Sequence, residues 1–258
     1  MGWNRMTGIG YVMALNTSEK MKHLSIAVLV FALAFLHLSA FAQDPANGIE
    51  TQDADWAELF DGESLNGWSG MDELWSVEDG AITGSTTDDT KLKKNSFLIW
   101  DGEVSDFELQ LKFRIVGGNS GIQFRSKDLG EHHVSGYQAD IDSNKRYTGI
   151  LYEEQGRGIL VERGQKVLID AVGNKSAQGE TCDLEEFAKG VDEGEWCDYV
   201  IRAEGNHITQ SINGFQTVDL IDEQAEKAAK SGILALQIHV GPAMKVQFKD
   251  IRLQKLGQ

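Results

Sequence analysis

From Trp56 onward, apolar residues recur at every second position in short runs, the period of a β-strand with one buried face. The clearest run is Phe107, Leu109, Leu111, Phe113 and Ile115 alternating with Glu108, Gln110, Lys112 and Arg114, and its odd positions are expected in the core. Asp79-Gly80 and Asn213-Gly214 each separate two such runs, a hairpin signal because both central residues of a type I′ turn accept positive φ. Gly205-Asn206 marks another turn, and segment 158–170 reads as a hairpin turning at Arg163-Gly164. Near the C-terminus, apolar parity shifts at Lys249-Asp250 from Val246 and Phe248 to Ile251 and Leu253, which predicts a bulge. Helical signals are confined to a short stretch at 184–189 and to 222–230 (DEQAEKAAK), which is brief for a helix standing alone. Many short strands with one or two short helices predict an all-β fold, a two-sheet sandwich or jelly roll.

The pattern before Trp56 is different. Lys22-His23, an apolar run over 24–36 and Ala40-Phe41-Ala42 have the layout of a secretory signal peptide with its cleavage site. A bilayer span needs about 20 apolar residues, so cleavage is expected in preference to an uncleaved anchor, with no stable membrane insertion afterwards. The expected organisation is an N-terminal extension with signal peptide over 1–42, a polar linker over 43–55 and one domain over 56–258. The destination is the periplasm or the extracellular space. A formal net charge of −16 excludes nucleic acid as a natural partner and is indifferent to a neutral sugar. Cys182 and Cys197 are the chain's two cysteines, and in an exported protein they suggest one disulfide. No Cys/His spacing supports a zinc site, and no phosphate-cradling glycine loop or nucleophile elbow is present.

The candidate chemistry gathers in 117–154. In Gly121-Ile122-Gln123-Phe124-Arg125 and Tyr137-Gln138-Ala139-Asp140-Ile141 the apolar residues take one face. Strict alternation then leaves Arg125, Gln138 and Asp140 together on the other, a set suited to a hydroxyl-rich ligand. Asp140 could instead only pair with Arg125 in a structural bridge. The segment also resembles the Glu-x-Asp-x-x-Glu strand of sandwich-fold retaining glycosidases. It departs from that motif at Gln138, where an amide cannot form the glycosyl ester, and at Ser143, where the acid would stand. Of Glu153 and Glu154, one can share a face with Tyr152 and act as a base. Gln237 and His239 alternate with Leu236 and Ile238 on the polar face of their strand. His132-His133 falls in a loop-like stretch, a surface feature or a rim contact.

These stretches carry a family likeness. NSGIQFR (119–125), GYQADI (136–141), YTGILYEE (147–154), GILALQIHVGPAMKVQFKDIRLQKL (232–256) and ELFDGESLNGW (58–68) resemble the 3-keto-disaccharide hydrolase domain family. The resemblance implies a concanavalin-like jelly roll, export in many members, and cleavage of glycosides oxidised at C3 of the sugar. A C3 ketone acidifies the C2 hydrogen, so a base can remove it and expel the C1 oxygen, with no carboxylate nucleophile needed. On that reading Asp140 or Glu153 is the base, Arg125 and Gln138 stabilise the enolate oxygen, and His239 protonates the leaving group. Gln237, Asn119 and Tyr152 position the sugar. A divalent cation could replace Arg125 as the electrophile. The alternative is a non-catalytic carbohydrate-binding module using Tyr137, Tyr152 and Trp100 as platforms.

Overall fold

The computed structural model describes residues 56–90 and 92–257, so the signal-peptide and linker expectations lie outside the described residues. The first half of the domain contains β1 (Trp56–Glu58), β2 (Trp68–Ser69), β3 (Trp75–Glu78), β4 (Ala81–Thr86), β5 (Ser96–Val104), β6 (Phe107–Val116), β7 (Asn119–Gly130) and β8 (His133–Asp142). The second half contains β9 (Leu151–Glu154), β10 (Gly158–Val161), β11 (Gln165–Ile169), β12 (Lys175–Glu180), helix α1 (Leu184–Lys189) and β13 (Cys197–Glu204). It closes with β14 (His207–Ile212), β15 (Phe215–Asp222), β16 (Gly232–Ile238) and β17 (Met244–Lys255).

The strands form two sheets packed face to face, a jelly-roll sandwich. One runs β12-β11-β15-β14-β13-β6-β17-β4-β3 with β1 beside β17, and the other runs β10-β9-β8-β7-β16-β5-β2. In β6 every odd position is buried and the even ones are more exposed, as its alternation requires. Phe107, Leu109, Leu111 and Phe113 meet Ile122, Tyr137, Ala139, Leu236 and Ile238 of the opposite sheet in one apolar core. The β3–β4 and β14–β15 turns put Asp79, Gly80, Asn213 and Gly214 all at positive φ. The register of β17 on β6 slips between Lys249 and Arg252, with Asp250 at φ 52°, which is the bulge expected there.

Three local expectations fail for lack of long-range information. Segment 158–170 is no hairpin: β10 pairs with β9 in the seven-stranded sheet, whereas β11 joins β12 and β15 in the other. Arg163-Gly164 is thus a crossing between layers. Segment 222–230 is no helix, since Asp222 finishes β15 and binds Arg157 while the Ala229 carbonyl accepts from Arg125. A single turn closed by Ala228 N–H on the Gln224 carbonyl (2.8 Å) is what remains. The cysteines are free thiols. Cys197 lies buried in β13 beside Asn213, whereas Cys182 lies near Thr181 and Arg163, so the two occupy separate surroundings.

Candidate functional site

Pleating gives the seven-stranded sheet an outer face of different chemistry. On β8, Tyr137, Ala139 and Ile141 enter the core, which turns Gln138, Asp140 and Asp142 outward. On β9, Leu151 goes inward and Tyr152 and Glu154 outward. Asn119 opens β7, and His239 follows the last residue of β16. Asn119, Gln138, Asp140, Tyr152, Glu154 and His239 line one cleft of about 780 Å³, a volume that admits a sugar ring with its substituent. Gln237 does not reach the cleft. It is fully buried and donates through Nε2 to Gln138 Oε1 (2.8 Å).

One end of the cleft is shaped by the chain that follows β8. Asp142 accepts from the backbone N–H groups of Asn144 (3.1 Å), Arg146 (3.1 Å) and Tyr147 (3.3 Å). Arg163 donates to the carbonyls of Lys145 and Thr148. This loop presents Asn144, Arg146 and Tyr147 to the cleft, with the Arg146 guanidinium 4.9 Å from the Tyr147 ring centre. A small apolar cluster of Phe97, Ile99, Val134 and Ala235 also lies on this sheet face.

Asp140 is the most perturbed carboxyl in the cleft. Burial pushes its pKa from 3.8 up to about 7; a hydrogen bond from Gln138 Nε2 to Oδ1 (2.5 Å) opposes this, and Glu154 and Asp142 add to it. Glu154 is also raised by burial, against a hydrogen bond from Asn95 Nδ2 (3.4 Å) and the nearby His239. The phenol of Tyr152 is raised by burial and by the two carboxyls. His239 holds Nδ1 2.6 Å from the Val240 carbonyl. A carbonyl can only accept, so Nδ1 carries hydrogen and Nε2 is the nitrogen left for exchange. Among the described residues no group of three or more His, Cys, Asp or Glu side chains is arranged to hold a metal ion.

Besides Gln237, two more of the expected site residues lie outside the cleft. Arg125 takes φ 46°, and the pairing of β7 with β8 slips between Phe124 and Lys127. This bulge breaks the alternation and sends Arg125 away from Gln138 and Asp140. Its guanidinium is 1% exposed and lines a different cleft beside Asp106 (2.8 Å) and the carbonyls of Ser105, Gly205 and Ala229. Asp140 therefore has no bridge to Arg125. Glu153 points opposite to Tyr152, where Arg157 donates to it from Nε (2.8 Å) and Nη2 (2.9 Å) and also binds Asp222 (2.8 Å). Period two alone selects Glu154 as the partner of Tyr152. Tyr137 is buried with its hydroxyl on Asp222 (2.6 Å), and Trp100 lies over Gly102, so neither is a platform in the cleft. His133 sets its ring against the Asn95 carbonyl. No periodicity in the sequence marks Asn95, Asn144 and Arg146; loop closure alone brings them in.

Fold and family together define the class, a carbohydrate-active protein on a jelly-roll sandwich. More particularly, the chain belongs to the 3-keto-alpha-glucoside-1,2-lyase-like domain family, whose profile matches residues 55–254. Among curated proteins no match is found. Two candidate glycosyl hydrolases of Parabacteroides distasonis share the fold, each with a TM-score of 0.52. They are 17% and 19% identical to the chain, cover 78% of it, and are matched over 94% and 99% of their own lengths. A Bacillus subtilis protein with a galectin-like fold is similar at a TM-score of 0.50 and 10% identity, over 74% of this chain and 90% of its own.

Proposed function

We propose that the cleft cleaves 3-keto-glycosides by elimination, with Asp140 as the base. The supporting observation is a buried carboxyl whose pKa stands at about 7, next to an amide at the position where a retaining glycosidase would hold its nucleophile. Asp140 takes the proton from C2, and the C2–H electron pair forms the C2=C3 bond of an enolate whose charge collects on the C3 oxygen. The enolate re-forms the ketone, C1=C2 forms, and the C1–O bond breaks. The departing oxygen takes a proton from the His239 side of the cleft, where Nε2 has no hydrogen-bond partner among the described residues and Glu154 lies nearby. Water adding back to C1 completes hydrolysis. With Arg125 absent, Gln138, Asn119 and Arg146 are among the donors of the cleft lining that could serve the C3 oxygen.

The cleft also carries Asp140, Asp142 and Glu154 against Arg146 as the cation in its lining among the described residues. This balance favours a neutral sugar, and a 3-keto-uronide is expected to react at least tenfold more slowly than the matching glucoside, a gap that narrows with added salt. Export belongs to the same reading, and mass spectrometry of the mature protein is expected to find Gln43 first.

The decisive assay offers an aryl 3-keto-glucoside beside its unoxidised parent and follows release of the phenol. Release from the keto form alone, slowed when C2 carries deuterium, is the expected result. Equal release from both substrates would end the elimination reading. Binding of the keto form with no turnover would leave a carbohydrate-binding module.

A further inference from the structure

Behind Asp140 stands a row of three buried amides, two of which, Gln123 and Gln237, the mechanism above does not use. Gln138 on β8 lies directly across from Gln123 on β7, and Asp140 across from Gly121. On the far side of β7, Ile122 faces Leu236, so Gln237 continues the register beside Gly121. A methyl carbon at Gly121 would lie 2.6 Å from Gln138 Cγ and 2.9 Å from Nε2, so the missing side chain is what lets the Gln138 amide lie flat over β7. Gln123 and Gln237 both donate from Nε2 to Gln138 Oε1, at 2.7 and 2.8 Å. Ser126 Oγ donates to Gln123 Oε1 (2.6 Å), which keeps the Gln123 nitrogen turned toward Gln138. Gln123 and Gln237 are 0% exposed, and Gln138 is 2% exposed.

The direction of this chain follows from the one member that cannot donate. Ionised Asp140 only accepts, so Gln138 must present nitrogen to it. Its carbonyl oxygen then faces Gln123 and Gln237, which must present nitrogen in turn. Both lone pairs of Gln138 Oε1 are taken, and a rotation of the amide would set oxygen against Asp140 and nitrogen against two nitrogens. Among the described residues Gln237 Oε1 is buried without a partner, while its nitrogen is turned into the network. Asp140 Oδ1 is occupied by Gln138, and among the described residues no group bonds Oδ2.

We infer that Gln123 and Gln237 are positioning residues that lock the Gln138 amide nitrogen onto Asp140 Oδ1, leaving Oδ2 as the oxygen that exchanges a proton with the cleft. Neither touches the sugar; both act through Gln138. The inference deepens the reading of Asp140 as the base, but its test uses no substrate, so either can fail without the other.

The test is a carboxyl-carbon NMR titration of the protein labelled at aspartate, without sugar. The proteins compared are the wild type, the Gln123→Met/Gln237→Met variant, Gln138→Met and the triple variant. Unlocking the amide weakens a hydrogen bond to the ionised form, so the double variant should raise the Asp140 midpoint by about one pH unit. Gln138→Met should raise it comparably, and the triple variant no further, because the two outer glutamines then have nothing to act through. A folded double variant with an unmoved midpoint overturns the inference, as does a triple variant whose shift exceeds that of Gln138→Met. Should the double variant not fold, Gln237→Met alone carries the same comparison: a smaller rise that vanishes in the Gln138→Met background supports the lock, and no rise or a persistent one refutes it.

Discussion

Replacing Asp140 with asparagine keeps the side chain's shape and its Oδ1, which can still accept from Gln138 Nε2, while removing the charge that burial opposes. In the folded protein this carboxyl holds its proton up to about pH 7, against 3.8 for an unperturbed one. The folded state therefore binds a proton that the unfolded chain releases between those values. The group's contribution to stability is full below about pH 4 and is lost as pH rises to about 7, levelling off above. At about 1.4 kcal/mol per pH unit over that window, the ionised carboxyl costs on the order of 4 kcal/mol at pH 8. Asp140→Asn should match the wild type at pH 4 and exceed it progressively up to pH 7, while losing turnover of the 3-keto-glycoside. Urea unfolding of both proteins at each pH gives the difference, since carboxyls remote from Asp140 titrate alike in the two and cancel, leaving Asp140 with its coupled neighbours Glu154 and Asp142. A difference that stays constant from pH 4 to 8, or one that favours the wild type as pH rises, would refute the account of a carboxyl held in the cleft against its own solvation. A gain in stability with a loss of activity is the exchange expected when a site keeps a group where folding alone would not put it.

The adjacent glutamates should separate by function. Glu153→Gln weakens the hold on Arg157 and is expected to cost about 2–3 kcal/mol in urea unfolding with turnover within a few-fold of wild type, whereas Glu154→Gln should leave stability within about 1 kcal/mol and lower turnover at least tenfold. Arg125→Met leaves three carbonyls without the guanidinium and Asp106 with only the Gly205 N–H; a loss of about 3 kcal/mol or more is expected by the same measurement, with KM of the folded fraction unchanged. Gly121→Ala needs no positive φ, so its effect is steric: the new methyl displaces Gln138, and turnover should fall at least tenfold while thermal unfolding shows a stability loss of about 1–2 kcal/mol.

Alternation along a single strand is set by sterics between neighbours, and wherever that was sufficient the sequence by itself was enough. It determined the inward face of β6, the outward placement of Gln138 and Asp140, the two Asp/Asn-Gly hairpins and the slip at Asp250. It also held the motifs by which the family is recognised. The same rule, carried two residues past Tyr152, points to Glu154 and not to Glu153. Other features had no local signature. Arg125 leaves the row because β7 bulges to stay paired with both β8 and β16, which no spacing within 119–125 announces. The split of 158–170 between two sheets, the loss of a helix at 222–230 and the separation of the cysteines depend likewise on which distant strand lies alongside. The glutamine row is the clearest case. Its members come from three strands more than ten residues apart in the chain, and only hydrogen bonding across the assembled sheet gives three ordinary amides a shared orientation.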